Sequence, residues 1–106
     1  MSVPDLKGLI ETAQRLQAEV VRVREQLGDK TVEGETGGGL VRCVASGRGE
    51  ILSVTIDPAL VGDKKMIEDL VVGAVNVALD RARELAQNEL GRVTGGLPLP
   101  PGMFGS

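Results

Sequence analysis

Apolar residues between Leu6 and Leu27 fall at Leu6, Leu9, Ala13, Leu16, Val20, Val23 and Leu27, in alternating steps of three and four. That is a heptad seam over three repeats, with no proline inside and Gly8 as its one weak position. A two-in-seven stripe is narrower than the face a globular helix buries, and it suits a helix that pairs with another helix. The pattern therefore predicts a helix over 6–27 that acts as an exposed arm. The simplest partner is its twin in a second chain, met through Leu9, Leu16, Val20, Val23 and Leu27. Ile10 and Val21 widen the stripe, so an ordinary amphipathic helix lying on the chain's own sheet stays open as the alternative. Gly28 is placed to cap the helix at its C-terminal end.

The period then changes from helical to alternating. Thr31 to Glu35 is a weak strand interrupted by Gly34. Leu40 to Ser46 places Val41, Cys43 and Ala45 on one face, with Leu40, Arg42 and Val44 on the other. Glu50 to Asp57 points Leu52, Val54 and Ile56 one way. Gly37-Gly38-Gly39 and Gly47-Arg48-Gly49 are short turn sequences between these runs, and short links favour an antiparallel meander. Pro58 to Val61 reads as one helical turn with proline at its first position. Asp63 caps a second long helix from Lys64 to about Leu90. One side of that helix carries Ile67, Leu70, Val71, Ala74, Val75, Ala78, Ala82, Leu85 and Ala86. Its small residues Gly73, Ala74, Ala78 and Ala82 permit close approach by a helix or sheet. The order is α-β-β-β-α: an α+β fold with a three-stranded antiparallel meander and two long helices. It fills one small domain over 1–94, followed by a flexible Gly/Pro-rich tail over 95–106.

Composition sharpens the oligomeric expectation. The chain has 106 residues with one Phe, no Trp and no Tyr. Large rings supply much of the buried area in small cores, so their absence suggests that association completes stability. With 12 basic and 15 acidic residues the net charge is −3. Residues 1–30 carry five of each sign, 31–62 two basic and four acidic, and 63–106 five basic and six acidic. No domain-scale basic footprint exists, which counts against strong sequence-independent nucleic-acid binding but leaves local patches open. The lone Cys43 allows no internal disulfide and suits a reducing compartment. No signal peptide or membrane-length apolar run is seen, and a soluble, cytoplasmic protein is expected.

Chemistry is sparse. There is no histidine, so no Ser-His or Cys-His pair exists, and one cysteine makes no usual zinc set. Glu68-Asp69 sits where acids complement a helix dipole. Gly34, Gly37, Gly38 and Gly39 lead into a strand, not into the helix a phosphate loop requires. No enzyme activity, cofactor, metal or small-molecule substrate is expected. Base stacking on single strands is disfavoured for lack of rings. What remains is interaction. Arg15 and Arg22 stack one above the other on the first helix, flanked by Lys7 and Arg24, and Arg81, Arg83 and Arg92 lie near the end of the second.

Several segments together resemble the YbaB/EbfC family of nucleoid-associated proteins. They are Val32-Glu33-Gly34-Glu35-Thr36-Gly37-Gly38-Gly39-Leu40-Val41, Gly47, Val54-Thr55-Ile56-Asp57-Pro58, Glu68-Asp69-Leu70-Val71, Asn76 and Leu97-Pro98-Leu99-Pro100-Pro101-Gly102. The resemblance implies a bacterial homodimer with projecting helical arms around a body of sheets and helices. It also implies binding to double-stranded DNA with low sequence selectivity, and a role in nucleoid organisation or gene regulation. On that reading Lys7, Arg15, Arg22, Arg24, Arg83 and Arg92 contact phosphates, and any preference comes from DNA shape. The competing reading is an acidic interaction module whose Pro-rich tail docks a protein of the replication or recombination machinery.

Overall fold

Leu, Gln, Glu, Arg and Ala dominate the first periodic stretch and favour helix, and it forms α1 (Leu6–Leu27). The computed structural model describes residues 6–93. The lead-in at 1–5 and the tail at 95–106 lie outside the described residues. The end of α1 differs from the expected cap. Gly28 does not adopt the left-handed conformation. The chain leaves through three tight turns instead, Gly28 N to Glu25 O (3.1 Å), Asp29 N to Gln26 O (3.0 Å) and Lys30 N to Leu27 O (3.2 Å). A Cβ at Gly28 would stand 3.0 Å from Cδ of the Arg48 side chain and 3.2 Å from Glu25 O.

Three strands follow: β1 (Thr31–Thr36), β2 (Val41–Ser46) and β3 (Ile51–Ile56). They form an open antiparallel sheet in the order β1-β2-β3. Gly37, Gly38 and Gly39 all take positive φ (63°, 70° and 95°) in the first turn, a conformation that side chains resist. In the second, Gly49 has φ 85°. The buried Ser46 hydroxyl accepts from the backbone N–H of Arg48 and of Glu50, each at 3.3 Å.

After Ile56, the Asp57 carboxylate accepts from Ala59 N (2.8 Å) and starts a short 3-10 turn, Pro58–Leu60. The Asp63 carboxylate then accepts from Met66 N (3.2 Å), the expected cap of α2 (Lys64–Val93). This helix continues three residues past the predicted end at Leu90. A Cβ at Gly91 meets nothing, and no packing conflict stops the helix there.

Val41, Cys43 and Ala45 of β2 pack against Ala74 and Ala78 of α2, all without exposure, with Leu60 beside them. The core is built from small side chains, so helix and sheet lie very close. Gly34 is the closest point: a Cβ there would sit 2.5 Å from both Ala74 O and Ala78 N. The glycine that seemed to weaken β1 is the place where α2 crosses it. Thr36 Oγ1 donates to Leu70 O at 2.6 Å, and Arg81 Nη1 to Glu33 O at 2.6 Å, fastening α2 along the same strand.

Strand β3 departs from simple alternation. Ser53 pairs with Val44, but Ile51 pairs with Ala45, leaving Leu52 as the extra residue of a bulge. Ile51, not Leu52, therefore shares the inner face with Val54 and Ile56. Helix α2 covers β1 and β2 and leaves this edge bare. All six residues of β3 are exposed, with Ile51, Val54 and Ile56 each near 40%.

The seam of α1 is also divided. Val23 and Leu27, expected to face a second chain, are covered by Leu90 of their own chain, with Val20, Leu85, Ala86 and Val93 packed around them. Leu9 and Leu16 stay exposed, and apart from the half-buried Gly8 so does every residue from Leu6 to Ala18. The helix lies neither wholly on the sheet nor wholly free: its last turns rest on α2. The molecule is correspondingly long, 73 × 21 × 17 Å. Its radius of gyration is 19.4 Å, against about 13 Å for a compact domain of this length.

Candidate nucleic-acid interface

The basic residues singled out in the sequence fall into three settings. Lys7 and Arg15 stand on the exposed half of α1, and among the described residues neither forms an ion pair with a carboxylate. Arg22 is engaged: its guanidinium holds Glu19 at 2.5 Å, one turn back and in the open. That hydrogen bond, with the attraction between the charges, lowers the Glu19 pKa and raises that of Arg22. Arg83 pairs with Asp80 on α2. Arg92 approaches Glu89 at 3.5 Å, and Glu89 is also held by Lys30 at 3.0 Å. The hydrogen bond from Lys30 lowers the Glu89 pKa most, aided by the charges of Arg92 and Lys30 and opposed by partial desolvation. Arg81 turns away from this set, to the β1 backbone.

Position on the helix separates Arg24 from its neighbours. Arg15 and Arg22 are seven residues apart and share a face. Arg24 is two residues past Arg22, about 200° round the helix, and Lys7 lies about 26 Å away along it. Arg24 instead lines a cavity of about 450 Å³ where α1, α2 and the β2–β3 turn meet. Arg83 and Gln87 line it from α2, and Arg48 from the turn. Leu27, Ala82, Ala86 and Leu90 make the apolar floor. No lining residue is acidic.

Two of the six predicted phosphate-binding residues, Arg24 and Arg83, thus converge on one site, whereas Lys7, Arg15, Arg22 and Arg92 do not reach it. Arg48 joins them without having been singled out. Its flanking glycines marked a turn, and only the packing of that turn on the end of α1 brings its side chain to the other two. Gly47 secures the junction. Its N–H donates to Lys30 O at 2.9 Å, and a Cβ there would strike Leu27 O at 2.7 Å.

The adjacent acids Glu68 and Asp69 are exposed, and Asp69 pairs with Lys65 at 3.0 Å. They are surface charges on the first turns of α2. No helix among the described residues is long and apolar enough to cross a membrane.

A known structure shares this fold, and known sequences are similar along nearly the whole chain. A solved structure of an uncharacterized protein from Helicobacter pylori superposes with a TM-score of 0.72 at 25% identity, over 90% of this chain and 99% of the other. A nucleoid-associated protein of Thermoanaerobacter sp. (strain X514) is 44% identical over 102 residues, covering 94% of this chain and 91% of its own. Another, from Bordetella avium (strain 197N), is 44% identical over 99 residues, covering 92% of each. The model of the YbaB/EbfC DNA-binding family matches residues 1–97. The chain belongs to the YbaB/EbfC DNA-binding family.

Proposed function

We propose that this protein binds double-stranded DNA as a homodimer with low sequence selectivity, through phosphate contacts from its helical arms, and so organises the nucleoid or modulates gene expression. The observation that carries the reading is the bare half of α1. It presents Lys7 and Arg15 exposed, and among the described residues neither is held in an ion pair with a carboxylate. A net charge of −3 does not oppose this, because surface charges act over about 10 Å at cellular salt and a rod carries its cations clear of the body. Lys7, Arg15 and Arg22 grip phosphates along the arm, and Arg24, Arg83 and Arg92 do so nearer the body. On this reading the contacts are to phosphates rather than base edges, and any preference follows DNA shape.

Dimerisation through the sheet fits the inner face of β3. An apolar edge strand with unpaired backbone groups, left bare by its own helix, is covered in stable proteins. Leu9 and Leu16 extend the available apolar surface along the arm. Val23 and Leu27, already covered by α2, brace the arm against the body.

The test is fluorescence anisotropy with a labelled random duplex across salt concentrations, with light scattering on the same sample. The expected result is a dimer whose affinity declines with salt at a log–log slope of about −0.9 per phosphate engaged. Replacing Lys7 and Arg15 together with Ala should weaken binding to all duplexes alike and make the slope shallower by about 1.8 per arm, as two phosphates are released. Unchanged affinity in that variant would refute the arm grip.

A further inference from the structure

We propose that the cavity between the end of α1, the β2–β3 turn and α2 is a phosphate-binding seat formed by Arg24, Arg48 and Arg83. Arg24, Arg48 and Arg83, from three separate elements, line one space of about 450 Å³. No carboxylate lines that space, although acids outnumber bases 15 to 12 in the chain as a whole. All three arginines are solvent-exposed, and like charges gathered over an apolar floor repel one another and attract an anion. An anion removes that repulsion. Guanidinium groups add paired N–H donors that match phosphate oxygens two at a time.

Arg48 is the decisive residue. Among the described residues its side chain forms no ion pair. Its place is nevertheless built. Ser46 Oγ holds its backbone N–H at 3.3 Å. Its aliphatic stem crosses Gly28, where a Cβ would crowd Cδ to 3.0 Å. Asp80 holds Arg83 from the same helix, so a phosphate takes Arg83 in competition with that surface pair. Arg48 meets it from the β2–β3 turn and Arg24 from α1.

The chemistry fits a phosphate monoester or diester, supplied by the DNA backbone or by a free nucleotide. The first source rests on the DNA-binding reading and the second does not. The experiment compares wild type, Arg48→Ala, Arg48→Lys and the control Arg42→Ala, whose residue lies on the outer face of β2 beside Glu33 and Glu35. Each is titrated with a random duplex across salt and, separately, with ATP and inorganic pyrophosphate by phosphorus and amide NMR. Arg48→Ala is expected to bind duplex about tenfold more weakly, with a salt slope shallower by about 0.9 per protomer. Arg48→Lys should keep the slope and recover only part of the affinity, since a point charge replaces the fork. Arg42→Ala should match wild type.

If wild type binds duplex, Arg48→Ala binds it equally well with the same slope, and neither ATP nor pyrophosphate binds in an Arg48-dependent way, the seat is refuted and the DNA reading stands. Arg48-dependent binding of ATP or pyrophosphate beside an unchanged duplex affinity keeps the seat and assigns it to a free phosphate compound. If duplex binding is absent but ATP or pyrophosphate shifts the Gly47 and Gly49 amides in an Arg48-dependent way, the seat stands, its source is a free phosphate compound, and the DNA reading falls. Binding of neither probe refutes both.

Discussion

Replacing Gly34 with alanine tests the account of how this fold is held together. Gly34 has no positive φ, so alanine is acceptable to the backbone and alone would favour folding by about 0.4–1 kcal/mol through the unfolded state. Packing opposes this. The new Cβ would lie 2.5 Å from Ala74 O, 2.5 Å from Ala78 N and 3.1 Å from Ala78 Cα. All three are backbone atoms of one helix, so no side chain can swing aside. Restoring ordinary packing distances means lifting α2 by roughly 1 Å, which opens the layer where Ala74 and Ala78 meet Val41 and Cys43. Overpacking of this kind costs about 1–3 kcal/mol and sometimes more. The rigidity of the obstacle places Gly34→Ala at the upper end, about 3 kcal/mol. For a domain of this size that is a fall of roughly 10–20 °C in melting temperature. Circular dichroism melts and urea titrations at one fixed protein concentration measure it, because association shifts apparent stability. Gly38→Ala is the control. It meets nothing within 4 Å but sits at φ +70°, so it should cost only about 1 kcal/mol of left-handed strain. If Gly34→Ala melts within about 2 °C of wild type, the helix does not lie where the packing argument needs it.

Other outcomes follow from the same structure. Val54→Asp places a charge on the bare inner face of β3 and is expected to shift light scattering towards the monomer; an unchanged mass would show that this face is not the dimer interface. Glu19→Gln releases Arg22 from its ion pair and should tighten duplex binding several-fold at low salt, whereas weaker binding would mean that the pair itself shapes the binding surface. Glu89 has a pKa depressed below its ordinary 4.5, so its stabilising effect is full above that value and fades as pH falls through the lower folded pKa. The Glu89→Gln variant should therefore be destabilised less than wild type between neutral pH and pH 3 in urea titrations, and equal destabilisation would count against this contribution. Cys43 has no exposure, and burial raises its thiol pKa; a thiol reagent should label it only as fast as the chain opens, and rapid labelling of folded protein would contradict its place in the core.

The parts of this molecule readable from residue order are those set by local geometry. Helical spacing delimited α1 from Leu6 to Leu27, turn chemistry placed both hairpins, and an acid before a helical run identified Asp63 as a cap. Alternation likewise put Val41, Cys43 and Ala45 on one face. Each of these depends on a few neighbouring residues, so a linear pattern carries it. Local rules failed where distant segments meet. Gly34 looked like a flaw in a strand and proved to be the point where a helix forty residues away touches it. A bulge at Leu52 moved Ile51 onto the inner face, because register answers to the partner strand as well as to alternation.

The arginines divide along the same line. Their presence near two helix ends was legible, and so was the pairing of Arg15 with Arg22 on one face, since both follow from 3.6 residues per turn. The union of Arg24, Arg48 and Arg83 was not. It depends on where the last turns of α1 rest on α2, and on a hairpin whose Gly47 N–H reaches Lys30 O at 2.9 Å. The half of the seam that α2 would cover, Val23 and Leu27, was equally hidden. Periodicity determines that a helix has an apolar stripe; which surface covers each part of it is decided by how the whole chain packs.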